Sequence, residues 1–185
     1  MSVDTDKERK QYQSGVSPEI TTLPVIREVK RHELNECLEV IHKSFRTVAD
    51  TFGITEENCP KHTTFLPLSA LESNMDNGWR MCGLFAGEKI IGYVALSDEG
   101  DGVYELHNIS VLPEYRCRGF GSMLIEYAKK AVKASGGSML RLSYIEENAA
   151  VKAWYISNGF VHTGTKKFDH LPFTSGYMVW KPERE

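Results

Sequence analysis

A short stretch rich in glycine and arginine, followed at once by an amphipathic helix, constrains the fold of this chain most. The stretch is Arg116-Cys117-Arg118-Gly119-Phe120-Gly121, and it follows a turn at Pro113. Apolar residues then recur three and four positions apart, which predicts a helix that ends at Gly136-Gly137. Its predicted buried face comprises Phe120, Met123, Leu124, Tyr127, Ala128, Ala131 and Val132. Its predicted solvent face comprises Glu126, Lys129, Lys130 and Lys133.

The start of this helix has the properties of an anion site. The first N–H groups of a helix have no partners inside it and point back toward the preceding loop. Gly119 and Gly121 lack a Cβ, so a ligand can approach the backbone, and Arg116 and Arg118 add positive charge. Together these features predict a phosphate or pyrophosphate site. In the alternative, the glycines only form a turn and the arginines are solvated; the preceding strand and the following helix favour the phosphate interpretation.

Two common nucleotide-binding patterns do not fit this loop. A dinucleotide fingerprint requires a third glycine where the chain has Leu124, and a P-loop requires a Gly-Lys-Ser/Thr run that the sequence lacks. The spacing Arg-x-x-Gly-x-Gly instead resembles the pyrophosphate loop of the GNAT superfamily, the acyl-CoA-dependent N-acyltransferases. The resemblance covers about residues 79–160 and includes three further blocks: Asn108-Ile109-Ser110-Val111, Glu147-Asn148-Ala149-Ala150 and Ala153-Trp154-Tyr155-Ile156-Ser157-Asn158-Gly159-Phe160.

Length and periodicity favour a single domain. The 185 residues, 41% of them hydrophobic, are enough for one well-filled core. We assign the polar residues 1–18 to a flexible tail and residues 19–185 to the acyl-CoA N-acyltransferase domain.

Periodicity predicts helices at 32–49, 68–75, from 120 onward and 148–158, and strands at 23–30, 81–86, 90–97, 103–112, 138–145, 160–168 and 176–180. This order predicts an α/β fold, and the resemblance implies a single GNAT-like mixed, mostly antiparallel twisted sheet flanked by helices.

Charge and cysteine content exclude several classes of function. The net charge of −3 and the pI of about 6.1 provide no field for a polyanion, so no nucleic-acid partner is expected. The cysteines form no Cys-x-x-Cys pair, which argues against a zinc site or a disulfide framework and for a reducing compartment. Without a membrane-length apolar run or a signal-peptide pattern at its start, the sequence predicts a cytoplasmic protein with no membrane partner. The histidines have no ligand spacing, so no metal is expected.

The strand before the loop carries the candidate bases. Alternation places Glu105 and His107 on one face with Ile109 and Val111, and it places on the other face Tyr104, Leu106, Asn108 and Ser110. Acyl transfer to an amine requires the ammonium to lose a proton, which a carboxylate or an imidazole can accept. Some GNAT members have a glutamate at the position of Glu105, so we favour Glu105 as the base and assign His107 to substrate binding. In the alternatives, Glu105 pairs with a cation, His107 is a buried hydrogen-bonded residue, or water takes the proton.

The resemblance implies the remaining catalytic and cofactor residues. Tyr155 matches the tyrosine that protonates the leaving CoA thiolate in many members; its alternative is a core aromatic with a satisfied hydroxyl. Asn148 matches the asparagine that binds the pantetheine arm, although it also suits a helix N-cap. Pantetheine is expected to pair with the strand edge at 109–111, where N–H groups can stabilise the thioester oxyanion. The predicted contacts of the co-substrate acetyl-CoA are Ile109, Ser110, Val111, Arg116, Cys117, Arg118, Gly119, Phe120, Gly121, Ser122 and Asn148.

The acceptor is expected between two irregular regions, residues 58–71 and 168–173. In the family, the acceptor lies between the helical region after the first strand and the hairpin of the last two strands. Both regions here combine aromatic rings with a histidine, and Asp169 adds a carboxylate. Aromatic faces and a carboxylate suit a cationic amine. Phe65 and Asp169 are therefore predicted, together with His107, to bind the substrate.

These interpretations converge on an N-acetyltransferase that moves an acetyl group from acetyl-CoA to a primary amine by direct attack in a ternary complex. A rival class is a non-catalytic acyl-CoA-binding sensor or regulatory domain, against which the presence of both Glu105 and Tyr155 argues. A structural interaction module would leave the arginine-rich helix start unexplained. The sequence leaves open whether the amine belongs to a small molecule or a peptide, which acyl chain is preferred, and whether the chain forms a homodimer.

Overall fold

The periodic patterns of the sequence form seven strands and four α-helices over residues 23–183, the part of the chain that a computed structural model describes. The strands are β1 (Val25–Glu28), β2 (Arg80–Ala86), β3 (Lys89–Asp98), β4 (Val103–Val111), β5 (Met139–Ile145), β6 (Val161–Lys167) and β7 (Thr174–Trp180). The helices are α1 (Leu34–Phe52), α2 (Leu68–Asp76), α3 (Phe120–Ala134) and α4 (Ala149–Ser157). Short 3-10 turns occur at Arg31–Glu33, Thr63–Phe65 and Pro113–Tyr115. The tail assigned to residues 1–18 lies outside the described residues.

The strands form one sheet in the order β1-β2-β3-β4-β5-β7-β6. All neighbouring pairs are antiparallel except β4 and β5, which are parallel and are connected through α3. The prediction of a mixed, mostly antiparallel α/β sheet flanked by helices is confirmed. None of the helices within residues 23–183 has the length and apolarity needed to span a bilayer.

Helices α1 and α3 cover opposite faces of the sheet at β3. Gly92 and Tyr93 are neighbours in β3, so they point to opposite faces. On the Gly92 side, a Cβ would lie only 3.2 Å from Cδ1 of Leu124 in α3. On the other side, Tyr93 is fully buried, and this burial, together with the nearby thiol of Cys37 in α1, raises its pKa. The sheet is therefore enclosed between the two helices.

The buried face of α3 differs from the prediction at three positions. Met123, predicted to be buried, is 40% exposed, and Lys129, predicted to face solvent, is only 8% exposed. Ile125, which the predicted stripe omitted, is fully buried. The ammonium of Lys129 donates to the carbonyl of Asn158 at the end of α4 at 2.6 Å and pairs with Glu126. Contact with α4 therefore rotates the buried stripe toward Ile125 and Lys129, and the predictions for Met123 and Lys129 are wrong.

A β-bulge interrupts β4 just before the loop. His107 pairs with Ala95, and Ser110 pairs with Tyr93, so three steps along β4 correspond to two steps along β3. Asn108 has a φ of 51° at this point. Asparagine tolerates the left-handed region better than most residues, which explains its place in the bulge.

The bulge changes which side chains share a face of the sheet. Directly paired residues of neighbouring strands point the same way, so Ser110 shares a face with Glu105 and His107. Val111 pairs with Gly92 and lies on the opposite face. The predicted alternation is therefore wrong beyond His107, because it assumed an uninterrupted strand and assigned Val111 to the face of Glu105.

Strands β4 and β5 pair only at their first residues. The parallel register ends where Glu105 lies beside Arg141. In the described part of the chain, β4 residues 106–111 and β5 residues 142–145 do not pair with each other, while β5 continues to pair with β7. A cleft therefore opens between the two strands, with the backbone edge of β4 on one side and the loop before α3 at its wide end.

Candidate active site

The loop between β4 and α3 brings backbone N–H groups to the wide end of the cleft. Cys117, which is exposed, and Gly119 have positive φ angles of 60° and 81°. Gly119 is the N-cap of α3, and its left-handed backbone is the reason that glycine suits this position. The Met123 N–H donates to the Gly119 carbonyl as the helix begins. The N–H groups of residues 120–122 precede that bond and make none of the hydrogen bonds of the helix, which is the arrangement that binds anions.

Gly121 has a packing role that the sequence did not reveal. A Cβ at this position would lie 2.9 Å from Cζ2 of Trp154, so the absence of a side chain lets α3 and α4 approach closely. The expectation that Gly121 presents bare backbone to a ligand is therefore incomplete, because an indole ring lies where its side chain would be. A contribution of its N–H group to anion binding stays a prediction.

The two arginines of the loop have different surroundings. The guanidinium of Arg116 donates to the carbonyl of Val111 at 3.1 Å, to the hydroxyl of Thr47 at 2.9 Å and to the carbonyl of Ser44 at 2.8 Å. Arg116 thus ties the loop to α1 and to the end of β4. The guanidinium carbon of Arg118 lies 5.7 Å from the centroid of the tyrosine ring in the preceding turn.

Tyr155 lies on α4 and is almost completely buried. Its ring centroid is 6.1 Å from that of Tyr144, 4.8 Å from that of Trp154 and 5.7 Å from that of Phe160. Burial raises the pKa of the Tyr155 phenol well above its ordinary value, because the ionised form would lose its hydration. At neutral pH the group is therefore a protonated phenol, the state that a general acid requires. The packing role is observed, and the acid role stays a prediction.

Asn148 and the edge of β4 are the other predicted contacts of the co-substrate. The Asn148 side chain accepts a hydrogen bond from the Val151 N–H at 3.1 Å, so it caps α4 as its residue type predicts. Residues 109–111 lie in the segment of β4 that has no strand partner on the β5 side within the described chain. An extended ligand can pair with such an edge as an added strand does. The pantetheine contacts themselves stay predictions.

A chain of hydrogen bonds crosses the narrow end of the cleft. Glu105 accepts from Nε of Arg141 at 2.7 Å, and Nη2 of Arg141 donates to Glu99 at 2.8 Å. Glu99 also accepts from the Ser97 hydroxyl at 2.6 Å, and that hydroxyl lies 2.9 Å from Nε2 of His107. Both candidate bases therefore belong to one network. Glu105 has the cationic partner that was the alternative to its role as base.

His107 is partly buried beside Trp79, whose ring stacks on the imidazole at a centroid distance of 4.2 Å. Burial lowers the pKa of His107; the carboxylates of Glu105 and Glu99 act in the opposite direction, and Arg141 adds to the lowering. The net direction is downward, so the imidazole is neutral at neutral pH. A neutral imidazole can accept a proton, which is the property that a base requires.

Glu99, Glu105 and His107 are the one group within residues 23–183 whose side chains are close enough to bind a metal ion together, with ligand atoms within 4.8 Å of one another. The guanidinium of Arg141 contacts both carboxylates. Because a metal ion would have to displace this cationic partner, we interpret the group as an ion-pair network. The expectation that the reaction needs no metal stays a prediction.

The loop between α1 and α2 packs where the first acceptor region was predicted. Thr63 in this loop donates to the side-chain carbonyl of Asn108 in the β4 bulge at 3.4 Å. Phe65 packs in an apolar cluster that joins the loop to the end of β5 and to the β6–β7 connection. The other members of that cluster are Val48, Ala49, Phe52, Ile54, Cys59, Ile145, Leu171 and Phe173. The first predicted acceptor region therefore lies against β4 at Asn108, the residue after His107.

The second acceptor region meets the first through aromatic contacts. The His62 ring lies 6.3 Å from the ring of Phe173 and 6.0 Å from that of Phe45 in α1, and burial lowers the pKa of His62. Asp169 is exposed in the β6–β7 connection. Among the described residues, no hydrogen bond, ion pair or ring contact joins Asp169 to Phe65. The structure thus brings the two regions together without a direct link between these two predicted side chains.

Sequence reasoning missed three members of the hydrogen-bond chain, Ser97, Glu99 and Arg141, and no motif marks them. It also missed Trp79, which stacks on His107. One signal was available for Arg141. A right-handed β-helix-β crossover places the start of β5 beside the start of β4, where Glu105 lies. A cation at the start of β5 is therefore a natural partner for a carboxylate at the start of β4.

Comparison with known protein families decides the assignment. The sequence model described as the Acetyltransferase (GNAT) family matches residues 45–160, which is more than half of the chain. The chain belongs to the GNAT acetyltransferase family. The matched residues include the loop, the bulge, the hydrogen-bond chain and Tyr155. The resemblance read from the loop is thus confirmed, and the assignment to acyltransferase enzymes with it.

One relative and two solved structures illustrate the similarity within the GNAT family. An uncharacterized N-acetyltransferase of Bacillus licheniformis is 33% identical over 34% of this chain and 47% of its own length, so the chain spans about half of that relative. The PaiA N-acetyltransferase of Thermoplasma acidophilum, solved in complex with coenzyme A, has a TM-score of 0.69 at 23% identity, covering 87% of this chain and 100% of that one. The ribosomal-protein-S18-alanine N-acetyltransferase of Escherichia coli has a TM-score of 0.70 at 18% identity, covering 86% of this chain and 94% of that one. The two structures confirm the GNAT fold.

Proposed function

We propose that this GNAT family member transfers an acetyl group from acetyl-CoA to a primary amine by direct attack in a ternary complex. The observation that carries the proposal is the separation of β4 from β5 beside the start of α3. The edge of β4 and the loop before α3 border the resulting cleft. Helix α4, which carries Tyr155, packs against the start of α3 through Trp154 and Gly121. Groups suited to binding and to proton transfer therefore lie around one opening.

The residues around this cleft fit an acyl-CoA. The N–H groups of residues 120–122 and the charges of Arg116 and Arg118 suit a pyrophosphate. The edge of β4 at 109–111 suits the amides of a pantetheine arm. The start of α3 and the edge of β4 are separate features. An apolar or cationic ligand would make no hydrogen bonds with the N–H groups of the helix start or with the backbone of the strand edge. The coenzyme A complex of the PaiA protein supports the same ligand class.

Acetyl-CoA, when bound, supplies an activated acyl group as a thioester. In the proposed reaction Tyr155 donates a proton at the leaving sulfur, and a base on β4 accepts a proton from the ammonium of the acceptor. Phe65 and Asp169 are proposed to contribute an aromatic face and a carboxylate to the acceptor pocket. These groups suit an amine of a small molecule or a peptide.

The test compares catalysis with simple binding. The full chain is incubated with acetyl-CoA and a panel of polyamines, amino sugars, amino-acid amides and short peptides with free N-termini. Amine-dependent thiol release, together with the mass of an acetylated product, supports the proposal. Stabilisation by acetyl-CoA without thiol release for any amine would instead support the acyl-CoA-binding sensor.

A further inference from the structure

The position of Ser97 determines the tautomer of His107. The Ser97 hydroxyl lies 2.6 Å from Oε1 of Glu99 and 2.9 Å from Nε2 of His107. An ionised carboxylate can only accept a hydrogen bond, and a serine has a single proton to donate. Ser97 therefore donates to Glu99 and accepts from the Nε2–H of His107. The lone pair of the neutral imidazole is then on Nδ1.

Contacts from several elements hold this arrangement in place. Ser97 is only 3% exposed within β3. The second carboxylate oxygen of Glu99 accepts from Arg141 at 2.8 Å, which fixes the orientation of the carboxylate. Trp79 stacks on the imidazole of His107 with 25° between the ring planes. A half-turn of the imidazole would break the hydrogen bond to Ser97, while the stacking on Trp79 holds the ring in its plane.

His107 stands at the junction of β4 and the loop predicted to bind the acceptor. The next residue, Asn108, lies in the bulge and accepts from Thr63 of that loop. Within residues 23–183, Nδ1 of His107 makes no hydrogen bond. Glu105 lies two residues further from the bulge and is bound to Arg141 at 2.7 Å. Of the two candidate bases, His107 is therefore the better placed.

The charged groups that face His107 are Glu99, Glu105 and Arg141. Burial has the largest effect on its pKa and lowers it, so the imidazole is neutral at neutral pH. Once the ring accepts a proton, the two carboxylates stabilise the imidazolium, since they favour its charged form. The site thus holds a neutral base and also counter-charges for its protonated form.

We propose that Ser97 and Glu99 are positioning residues that hold His107 in the Nε2–H tautomer, so that its Nδ1 accepts a proton from the acceptor ammonium. The inference rests on the proposed function and names the base for it. Ser97 and Glu99 act only through His107. Glu105 and Arg141 fix the far end of the same hydrogen-bond chain.

The protons and electrons of the proposed step balance. Nδ1 of His107 takes one proton from the ammonium, and the electron pair stays on the amine nitrogen. This nitrogen forms a bond to the acyl carbon, while the bond between that carbon and sulfur breaks and leaves its electron pair on sulfur. The nitrogen loses its second proton to solvent, Tyr155 protonates the sulfur and regains a proton from solvent, and the imidazolium releases its own. The sum is one amide, one thiol and one released proton.

The tautomer is measured by long-range proton–nitrogen NMR correlation on the full chain with isotopically labelled histidine at neutral pH. His107→Gln identifies the signals of His107 among those of the six histidines. We expect the Nε2–H pattern in the wild type and a mixture of the Nε2–H and Nδ1–H patterns in Ser97→Ala. Ser97→Thr keeps the hydroxyl, so it should show the Nε2–H pattern of the wild type. An Nδ1–H pattern in the wild type, or an unchanged pattern in Ser97→Ala, overturns the proposal.

Kinetics provide a second readout with any amine that supports thiol release. Ser97→Ala should lower kcat by about tenfold, the lower end of the loss seen when an outer-shell hydrogen bond to a metal-binding histidine is removed. The KM for acetyl-CoA should not change. The control Ser135→Ala, at an exposed position after α3, should keep the wild-type rate. Wild-type kcat in Ser97→Ala would refute the positioning role. Absence of thiol release with every amine would refute the proposed function instead, and the NMR result would still decide the tautomer.

Discussion

Glu105 of β4 and Arg141 of β5 form an ion pair of 2.7 Å at the last residue pair before the two strands separate. Both side chains are partly exposed, so the pair contributes little to stability, about 0–1 kcal/mol. Its consequence for chemistry is larger. One carboxylate oxygen of Glu105 is engaged by a cation, whereas Nδ1 of His107 has no protein partner within the described residues. The ion pair therefore favours His107 over Glu105 as the base.

Replacement of each candidate base by glutamine separates their roles. His107→Gln should lower kcat/KM at neutral pH by on the order of a hundredfold, with partial recovery at higher pH as free amine forms. Glu105→Gln should keep the fall of kcat/KM toward acidic pH that protonation of His107 causes, but this fall should begin at a lower pH. The Glu105 carboxylate raises the pKa of His107, so its removal lowers that pKa, and the neutral imidazole persists to lower pH. Initial rates across the pH range measure both effects.

The opposite result would restore Glu105 as the base. In that case Glu105→Gln would show the larger loss at neutral pH and would recover as the pH rises. The control Glu88→Gln, an exposed carboxylate in the β2–β3 turn, should follow the wild-type profile. A uniform loss at every pH in His107→Gln would indicate a structural role for the imidazole.

Charge reversal at the loop tests the anion site. Arg118→Glu should abolish most of the thermal stabilisation by acetyl-CoA, because a carboxylate beside the start of α3 repels a pyrophosphate. A ligand present at a hundred times its dissociation constant stabilises the native state by about 2.7 kcal/mol, so the loss is large enough to measure. Lys133→Glu changes charge by the same amount at an exposed position in the last turn of α3. Equal melting shifts in the two variants would show that the phosphates bind elsewhere.

Tyr155→Phe tests the general acid while keeping the ring that packs against Trp154. The variant should lower kcat by on the order of a hundredfold, with little change in the KM for acetyl-CoA or in the melting temperature. Since burial raises the pKa of Tyr155, the phenol stays protonated in alkaline solution. A loss of activity near pH 9 should therefore come from another group. Wild-type turnover under chemistry-limited conditions would leave Tyr155 with the packing role alone.

The contact between Gly121 and Trp154 predicts a coupled pair of substitutions. Gly121→Ala should cost about 1–3 kcal/mol of unfolding free energy, because the added Cβ overlaps the indole ring. The cost should be smaller in a Trp154→Phe background, since phenylalanine lacks the overlapping part of the ring. Urea unfolding of the single and double variants measures the coupling. Additive costs would show that the two side chains do not compete for space.

Local patterns predicted most of the fold. The apolar runs of β2 and β3 and the helical spacing in α3 depend only on nearby residues, so their boundaries agree closely with the structure. Errors arise where a tertiary contact overrides the period. Lys129 is buried because the carbonyl of Asn158, the C-cap of α4, accepts its hydrogen bond. Val111 changes face because the bulge at Asn108 adds a residue. Neither α4 docking nor a bulge has a signature in the periodicity.

The candidate site was predictable where it depends on one continuous segment. The loop and the start of α3 follow from residues 113–124, and so does the expectation of an anion ligand. The hydrogen-bond chain was not predictable in the same way. Ser97, His107 and Arg141 become neighbours only through the registers of β3 with β4 and of β4 with β5. Those registers depend on the bulge and on the crossover, which are properties of the folded sheet.

The acceptor region carries the last prediction. Phe65→Ala and Asp169→Asn should each raise the KM for the amine and leave the KM for acetyl-CoA unchanged. The first removes an aromatic face from the loop that contacts the β4 bulge, and the second removes an exposed carboxylate from the β6–β7 connection. A cationic amine loses a favourable contact in both cases. Steady-state kinetics with both substrates varied provide the measurement.

Two controls separate binding from folding in this experiment. Phe52→Ala removes a ring from the same apolar cluster at the end of α1, so it matches the packing loss of Phe65→Ala. It should lower stability by a comparable amount without raising the KM for the amine. Glu88→Gln removes an exposed carboxylate from the β2–β3 turn and matches the charge change of Asp169→Asn. If Phe65→Ala and Asp169→Asn show the amine kinetics of their controls, the acceptor pocket does not include these two side chains.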